Sequence, residues 1–139
     1  MAKAKTLDRL LRVRTLQLGL VRAEEARAHE KLASEAALRN RIMQLTESVD
    51  PATPPGSAFS LIAAAHFRDR LHRSAETADA RVIAAQRLAA RAGEATRDAK
   101  RDHAAIEKLI AREDAVQLVK AIRALEESPP VRKFRHDPC

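Results

Sequence analysis

Residues 61–113 read LIAAAHFRDRLHRSAETADARVIAAQRLAARAGEATRDAKRDHAAIEKLIARE, and this stretch decides the fold. Steps of alternately three and four residues pick out a mostly apolar heptad series in which alanine dominates the middle. Its members are Leu61, Ala64, Arg68, Leu71, Ala75, Ala78, Val82, Ala85, Ala89, Ala92, Thr96, Ala99, His103, Ile106, Ile110 and Glu113. A helix with such a narrow apolar stripe needs a partner helix to cover it.

The helix that carries this series extends beyond it in both directions. No proline lies between Pro55 and Pro129, and after Gly56 the only glycine in that span is Gly93. The sequence therefore predicts one long helix over residues 57–127. At a rise of about 1.5 Å per residue this helix is about 105 Å long, which is too long for the core of a compact domain.

A second, shorter helix is predicted over residues 3–49, with Thr6 as a candidate N-terminal cap. Its apolar residues follow heptad-like spacing, interrupted by Arg14 and Glu25, and from Leu38 onward the stripe is shifted by one position. These apolar residues are Leu7, Leu11, Leu18, Val21, Ala28 and Leu32, followed by Leu38, Ile42, Leu45 and Val49. A drift of this kind is expected of a straight helix, whose period is about 3.6 residues rather than 3.5.

Residues 50–56 (DPATPPG) separate the two helices and form the clearest helix breaker in the sequence. Ser57 or Ser60 is then a candidate cap for the longer helix. A short turn between two long helices makes them antiparallel neighbours. The predicted fold is all-α: an antiparallel two-stranded coiled-coil helical hairpin over residues 1–127, followed by a disordered, flexible basic tail over residues 128–139.

The two predicted helices differ in length, which leaves part of the longer helix without a partner. A turn centred near residue 53 makes the numbers of facing residues add to about 107, so that Leu32 meets Ala75, Leu18 meets Ala89 and Leu11 meets Thr96. The shorter helix then ends opposite residues 102–105. The large apolar residues beyond that point are Ile106, Leu109, Ile110, Val116, Leu118, Val119, Ile122 and Leu125. Such an uncovered apolar surface predicts a docking site, self-association or a frayed end.

Composition and charge restrict the class of function. The chain has three Phe and no Trp or Tyr, so a thick hydrophobic core is not expected. The net charge of +7 is concentrated at the two ends of the chain, which predicts an acidic partner: a protein surface, a nucleic acid or an anionic membrane. Acids interleave with the basic residues of the longer helix, and this argues against nucleic acid. A basic coiled-coil scaffold or a nucleic-acid-binding helical protein stays open as the alternative function.

No residue pattern in the chain indicates catalysis, a metal site or a cofactor. There is no Gly-rich phosphate loop, and His66 and His72 do not share a helix face. His72 is instead predicted to pair with Glu76 at the surface, and His103 to lie partly exposed at the helix interface. The single cysteine, Cys139, cannot form an internal disulfide, which indicates a reducing compartment. No apolar run approaches the roughly 18 residues that cross a bilayer.

Three groups of residues carry a resemblance to a known family. They are residues 7–14 (LDRLLRVR), the pair Phe67 and Leu71, and Lys108-Leu109 within residues 105–109. With them, residues 3–127 resemble the FliJ family of flagellar export proteins and its counterparts in type III secretion injectisomes. The resemblance ends at the C-terminus, where family members often finish in an acidic stretch but this chain continues from Glu126-Glu127 into a basic, proline-containing tail.

The resemblance implies a non-enzymatic adaptor, or stalk, of a flagellar type III protein export apparatus. The end that carries both helix termini would insert into a hexameric export ATPase, and Phe67 and Leu71 would contact the membrane protein of the export gate. Substrate chaperones would be further partners. The protein would then be cytoplasmic and peripheral at the inner face of the cell membrane. The candidate ATPase-docking residues are Arg9, Arg12, Arg14, Ile106, Ile110, Val116 and Val119. Packing at the hairpin tip is the alternative role for Phe67.

Overall fold

A computed structural model describes residues 2–48 and 58–129 of the chain. This part contains two helices, α1 (Ala2–Ser48) and α2 (Ala58–Glu126), and no strand. The helices pack against each other as antiparallel neighbours, which confirms the predicted all-α helical hairpin. The predicted turn over 50–56, a cap at Ser57 and most of the predicted tail lie outside the described residues.

The ends of the helices follow from local chemistry. Thr6 lies inside α1 and Ser60 inside α2, so neither is the N-terminal cap that the sequence suggested. At its C-terminal end α2 is closed by the backbone of residue 128, whose N–H donates to the Leu125 carbonyl at 3.3 Å, and by the Ser128 hydroxyl, which donates to the same carbonyl at 2.8 Å. Pro129 follows directly and disfavours helical backbone at the residue before it.

Three ion pairs between the helices fix their alignment. Lys3 Nζ lies 3.2 Å from Glu113 Oε2, Arg14 Nη1 lies 3.1 Å from Asp102 Oδ2, and Arg39 Nε lies 3.6 Å from Asp79 Oδ1. These pairs are Lys3–Glu113, Arg14–Asp102 and Arg39–Asp79, and in each the residue numbers add to between 116 and 118.

The predicted sum of about 107 was therefore wrong, and with it the three pairings based on it. The Thr96 hydroxyl lies 3.4 Å from the carbonyl oxygen of Val21, not against Leu11. The prediction assumed that both helices begin to pair immediately after the turn. In the structure, Ser48 at the end of α1 lies level with α2 near residue 69, so the first turns of α2 extend past the described part of α1.

The interface side of α1 keeps an unbroken heptad series. Every member of the series is buried or half-buried: Leu7, Leu11, Arg14, Leu18, Val21, Glu25, Ala28, Leu32, Glu35, Arg39 and Ile42. Leu38 and Leu45 are exposed, so the predicted shift of the stripe at Leu38 was wrong. The unshifted series brings Glu35 and Arg39 to the interface, where both residues are half-buried.

The interface side of α2 follows the predicted series without interruption from Leu71 onward. All of its positions from Leu71 to Glu113 are buried or half-buried, whereas Leu61 and Arg68 are exposed. The most buried residues of the described chain are mostly small: Leu18, Ala28, Ala78, Val82, Ala85, Ala89 and Thr96. Small side chains allow two helices to approach closely, so the core is a thin line along the helix pair.

Candidate interaction surfaces

The predicted uncovered end of α2 begins later than the sequence suggested. Ile106 and Ile110 are half-buried, and the pair Lys3–Glu113 places the start of α1 level with residue 113. These two isoleucines therefore pack against α1, near Leu11 and Leu7, and the expectation that they stand alone was wrong. The part of α2 that extends beyond α1 at this end is residues 114–126, which we call the C-terminal extension.

The C-terminal extension carries large apolar side chains that are exposed to solvent. They are Val116, Leu118, Val119, Ile122 and Leu125. Continuing the interface series past Glu113 leads to Gln117, Lys120 and Ala124, so these apolar residues lie on another face of the helix. A longer α1 would not cover them, and a partner must approach α2 from a different side.

The arginines of the candidate ATPase-docking set have different surroundings. Arg14 is half-buried, and its Nη1 pairs with Asp102 and donates to Gln17 Oε1 at 3.0 Å. Arg9 and Arg12 are exposed and make no ion pair within the described residues. Arg14 thus helps to hold the hairpin together, while Arg9 and Arg12 are free to meet an acidic partner.

A small polar cluster closes the end of the hairpin beside the C-terminal extension. Gln117 Nε2 donates to Glu113 Oε1 at 2.9 Å, and the Lys3 ammonium lies against the other carboxylate oxygen. The hydrogen bonds from Gln117 and then Lys3 lower the pKa of Glu113 below its ordinary value of 4.5. The start of α1 is therefore tied to α2 by a carboxylate that stays charged at neutral pH.

At the opposite end, residues 58–68 of α2 extend beyond the described part of α1, and we call them the N-terminal extension. Phe67 is half exposed, and Leu71 is half-buried in the interface, so the structure places them where the sequence predicted: side by side, one beside and one within the heptad series. Leu61 and Ile62 add exposed apolar surface nearby. Ile62 was not singled out from the sequence because it lies outside the heptad series.

Shallow grooves run along both sides of the interface between these two ends. One has a volume of about 460 Å³ and lies between Ala28 of α1 and Leu88, Ala92 and Ala95 of α2. The other has a volume of about 400 Å³ and runs past Glu25, Ala89 and Gly93. Both are open to solvent.

His72 and His103 occupy the predicted positions. His72 Nε2 lies 3.6 Å from Glu76 Oε1 on the exposed surface, and His103 lies at the interface with its Nε2 3.0 Å from Thr15 Oγ1. The described ranges 2–48 and 58–129 contain no group of three or more His, Cys, Asp or Glu side chains that could hold a metal ion. In the same ranges, no helix has a stretch apolar enough to cross a bilayer.

Comparisons of the chain with models of protein families, with curated proteins and with solved structures find no match.

Proposed function

We propose that the protein is a non-enzymatic adaptor stalk of a flagellar type III protein export apparatus. The observation that supports this most is that α2 extends past α1 at both ends and exposes apolar side chains on each extension. Phe67 and Val116 are 49 positions apart on one helix, which corresponds to about 75 Å. A rod with an adhesive surface at each end suits a protein that bridges two partners.

The C-terminal extension is the proposed contact with a hexameric export ATPase. Its exposed valines, Val116 and Val119, supply apolar surface, and the exposed Arg9 and Arg12 lie on α1 at the same end of the rod. Burying apolar surface provides most of the affinity in such contacts, while unpaired arginines favour acidic loops on the partner. Ile106 and Ile110 act indirectly in this proposal, because they hold α1 in place.

The N-terminal extension is the proposed contact with the membrane protein of the export gate. Phe67 is one of only three phenylalanines in the chain, and aromatic side chains are enriched at interaction sites. A stalk in this position would work in the cytoplasm at the inner face of the cell membrane and would also meet substrate chaperones. These partners come from the resemblance to the FliJ family.

Stimulation of the export ATPase of the same organism tests the first contact. The variant with Val116→Asp and Val119→Asp should need at least about tenfold more protein for half-maximal stimulation, because two apolar contacts are replaced by charges. The matched control carries Ile83→Asp and Leu88→Asp, also on α2, where the wild-type side chains have nearly the same exposure, 46–48% against 47%. Equal loss in both variants, or no loss in either, would contradict the proposal.

Binding to the purified cytoplasmic domain of the gate protein tests the second contact. Phe67→Ala should weaken this binding while leaving helicity, measured by circular dichroism, and ATPase stimulation unchanged. A fall in helicity would instead show that Phe67 packs the hairpin tip.

The nucleic-acid alternative has its own test. Tight, strongly salt-dependent binding of the protein to random duplex DNA, with neither partner bound, would favour it.

A further inference from the structure

The surface of α1 that faces away from α2 carries a second heptad series. Its members follow spacings of four and three residues and are all exposed: Arg9, Val13, Leu16, Leu20, Ala23 and Arg27. We call this series the outer stripe. At about 100° per residue, its centre is about 160° around α1 from the centre of the interface with α2.

The apolar part of the outer stripe is exposed to solvent. Leu16 is 70% exposed, Leu20 is 67% exposed and Val13 is 49% exposed. These three side chains span two turns of helix and form one continuous apolar strip with Ala23. Nothing within the described chain covers this strip.

Most of the charges around the strip are basic. Arg9 and Arg27 belong to the outer stripe and bound its apolar part at either end, and Lys5 and Arg12 border it along one side. None of these four makes an ion pair within residues 2–48 and 58–129. Two exposed acids lie near its C-terminal end: Glu24 follows Ala23 on the other side of the strip, and Glu30 is the next position of the series after Arg27. The basic residues outnumber them, and around Val13 and Leu16 the bordering charges are basic. The surface is therefore complementary to an acidic partner.

The shape of the outer stripe favours a helix as that partner over a membrane surface. A narrow series with heptad spacing is the pattern that packs against one other helix. Helices that lie in a membrane interface have a broad apolar face and commonly carry Trp or Phe. The outer stripe has neither feature.

A second copy of the same stripe is a poor occupant. Antiparallel pairing centred between residues 16 and 20 would bring Arg9 of one copy against Arg27 of the other, and parallel in-register pairing would bring Arg9 against Arg9. In both arrangements an arginine of one copy faces an arginine of the other, at positions where an acidic side chain would be favourable.

We propose that the outer stripe binds an acidic amphipathic helix of another protein, which lies along α1 as a third helix. The outer stripe shares Arg9 with the proposed ATPase contact, but its apolar residues Val13, Leu16 and Leu20 belong to neither proposed end contact. The inference therefore stands or falls separately from the proposed function. It adds a lateral binding surface on α1, centred on residues 13–20, to a rod whose proposed end contacts take their apolar residues from α2.

A synthetic peptide of three heptads tests the inference directly. The first peptide has Leu at the a and d positions and Glu at the e and g positions, and the second has Lys in place of each Glu. Fluorescence anisotropy should show binding of the Glu peptide to the full chain and at least about tenfold weaker binding of the Lys peptide. Leu16→Glu and Leu20→Glu should each weaken the Glu peptide about tenfold or more, whereas Ile83→Glu, on α2, should not.

Four outcomes would overturn the inference. The Glu peptide could fail to bind, or bind Leu20→Glu as tightly as the wild type. The wild type could sediment with vesicles that contain phosphatidylglycerol, in a manner dependent on Leu20, while ignoring the peptide, which would assign the stripe to a membrane. Sedimentation equilibrium could show a dimer that Leu20→Glu dissociates, which would assign it to self-association. Circular dichroism of each variant checks that the hairpin is intact.

Discussion

The middle of α2 buries small side chains, whereas its two extensions expose larger and more hydrophobic ones. In the middle, small residues such as Ala78, Ala85 and Ala89 are almost fully buried because α1 covers them. On the extensions, larger residues such as Ile62 and Leu118 are exposed. Burial in this molecule is therefore set by the presence of the second helix. The covered middle holds the fold together, and the apolar surface of the ends is available to other molecules.

The largest expected effect separates two leucines on α1 that are two positions apart. Leu18 is 8% exposed at the interface and Leu16 lies on the outer stripe. Leu18→Ala should lower the free energy of unfolding by about 2–4 kcal/mol, because it leaves a cavity between the helices. Leu16→Ala should change it by less than about 0.5 kcal/mol.

Urea unfolding followed by circular dichroism measures both free energies of unfolding under the same conditions. Each variant replaces Leu with Ala inside the same helix, so the contribution of helix propensity cancels in the comparison. Equal losses would show that the outer stripe is covered in solution, and this would contradict the assignment of one covered face to α1.

The second prediction concerns the closeness of the two helices in the middle. Ala85 is buried against α1, while the neighbouring Ala84 is exposed. Ala85→Leu should destabilise the hairpin by about 1–3 kcal/mol, because extra methylene groups must be fitted into a closely packed interface. Ala84→Leu should be nearly neutral. If both variants unfold at the same urea concentration as the wild type, the helices are not held as closely as their alanine interface requires.

The sequence predicted the fold and most of the interface but not the alignment of the helices. The alternation of three- and four-residue steps identifies the covered face of α2 from Leu71 to Glu113. Because that pattern repeats, α1 can slide along α2 by three or four residues at a time and still meet apolar side chains. Charged pairs such as Lys3–Glu113 and Arg14–Asp102 distinguish one alignment from the next, and their partners are known only once the helices are placed.

The limits of the apolar pattern also explain why the predicted shift of the α1 stripe at Leu38 was wrong. An apolar residue was expected at the interface, yet the unshifted series places Glu35 and Arg39 there. Within the described residues, Glu35 Oε2 and Arg39 Nε are buried and make no hydrogen bond, and Asp79 provides an ion pair to Arg39 at 3.6 Å. Continuity of the small side chains on α2 outweighs the polarity of these two positions on α1.

The wrong alignment also affected the predicted docking residues. It placed Ile106 and Ile110 at an uncovered end of α2, whereas the structure has them half-buried in the interface.

A smaller effect is expected from the polar contact between Thr15 and His103. The Thr15 hydroxyl donates to the Leu11 carbonyl at 2.9 Å, so its oxygen accepts a hydrogen bond from His103 Nε2. Thr15→Val should cost about 0.5–1.5 kcal/mol of stability by removing this bond between the helices. Thr77→Val is the matched control, because Thr77 donates to the Arg73 carbonyl at 2.9 Å on the exposed surface of α2.

Comparing the two threonine variants isolates the contribution of the contact with His103. Each loses a hydroxyl that bonds within its own helix, and each gains a β-branched apolar residue of similar size. A loss from Thr77→Val as large as that from Thr15→Val would mean that the bond across the interface adds nothing to stability. The alignment of α1 on α2 would then depend on the ion pairs and the apolar series alone.

The smallest expected effect lies where the covered part of α2 passes into its C-terminal extension. The pKa of Glu113 is lowered in the folded state, so its contribution is fully present above its ordinary value of 4.5 and is lost as the pH falls through the lowered value. The protection of the first turns of α1 against hydrogen exchange, measured relative to the intrinsic exchange rate at each pH, should therefore fall below about pH 4.5. In Glu113→Gln this acid-dependent loss of protection should be smaller, because residue 113 no longer titrates, while the other carboxyl groups titrate as before. If the wild type and Glu113→Gln lose protection in parallel, the start of α1 is not held by this carboxylate, and the boundary between the covered and uncovered parts of α2 is set by apolar packing at Leu7 and Ile110.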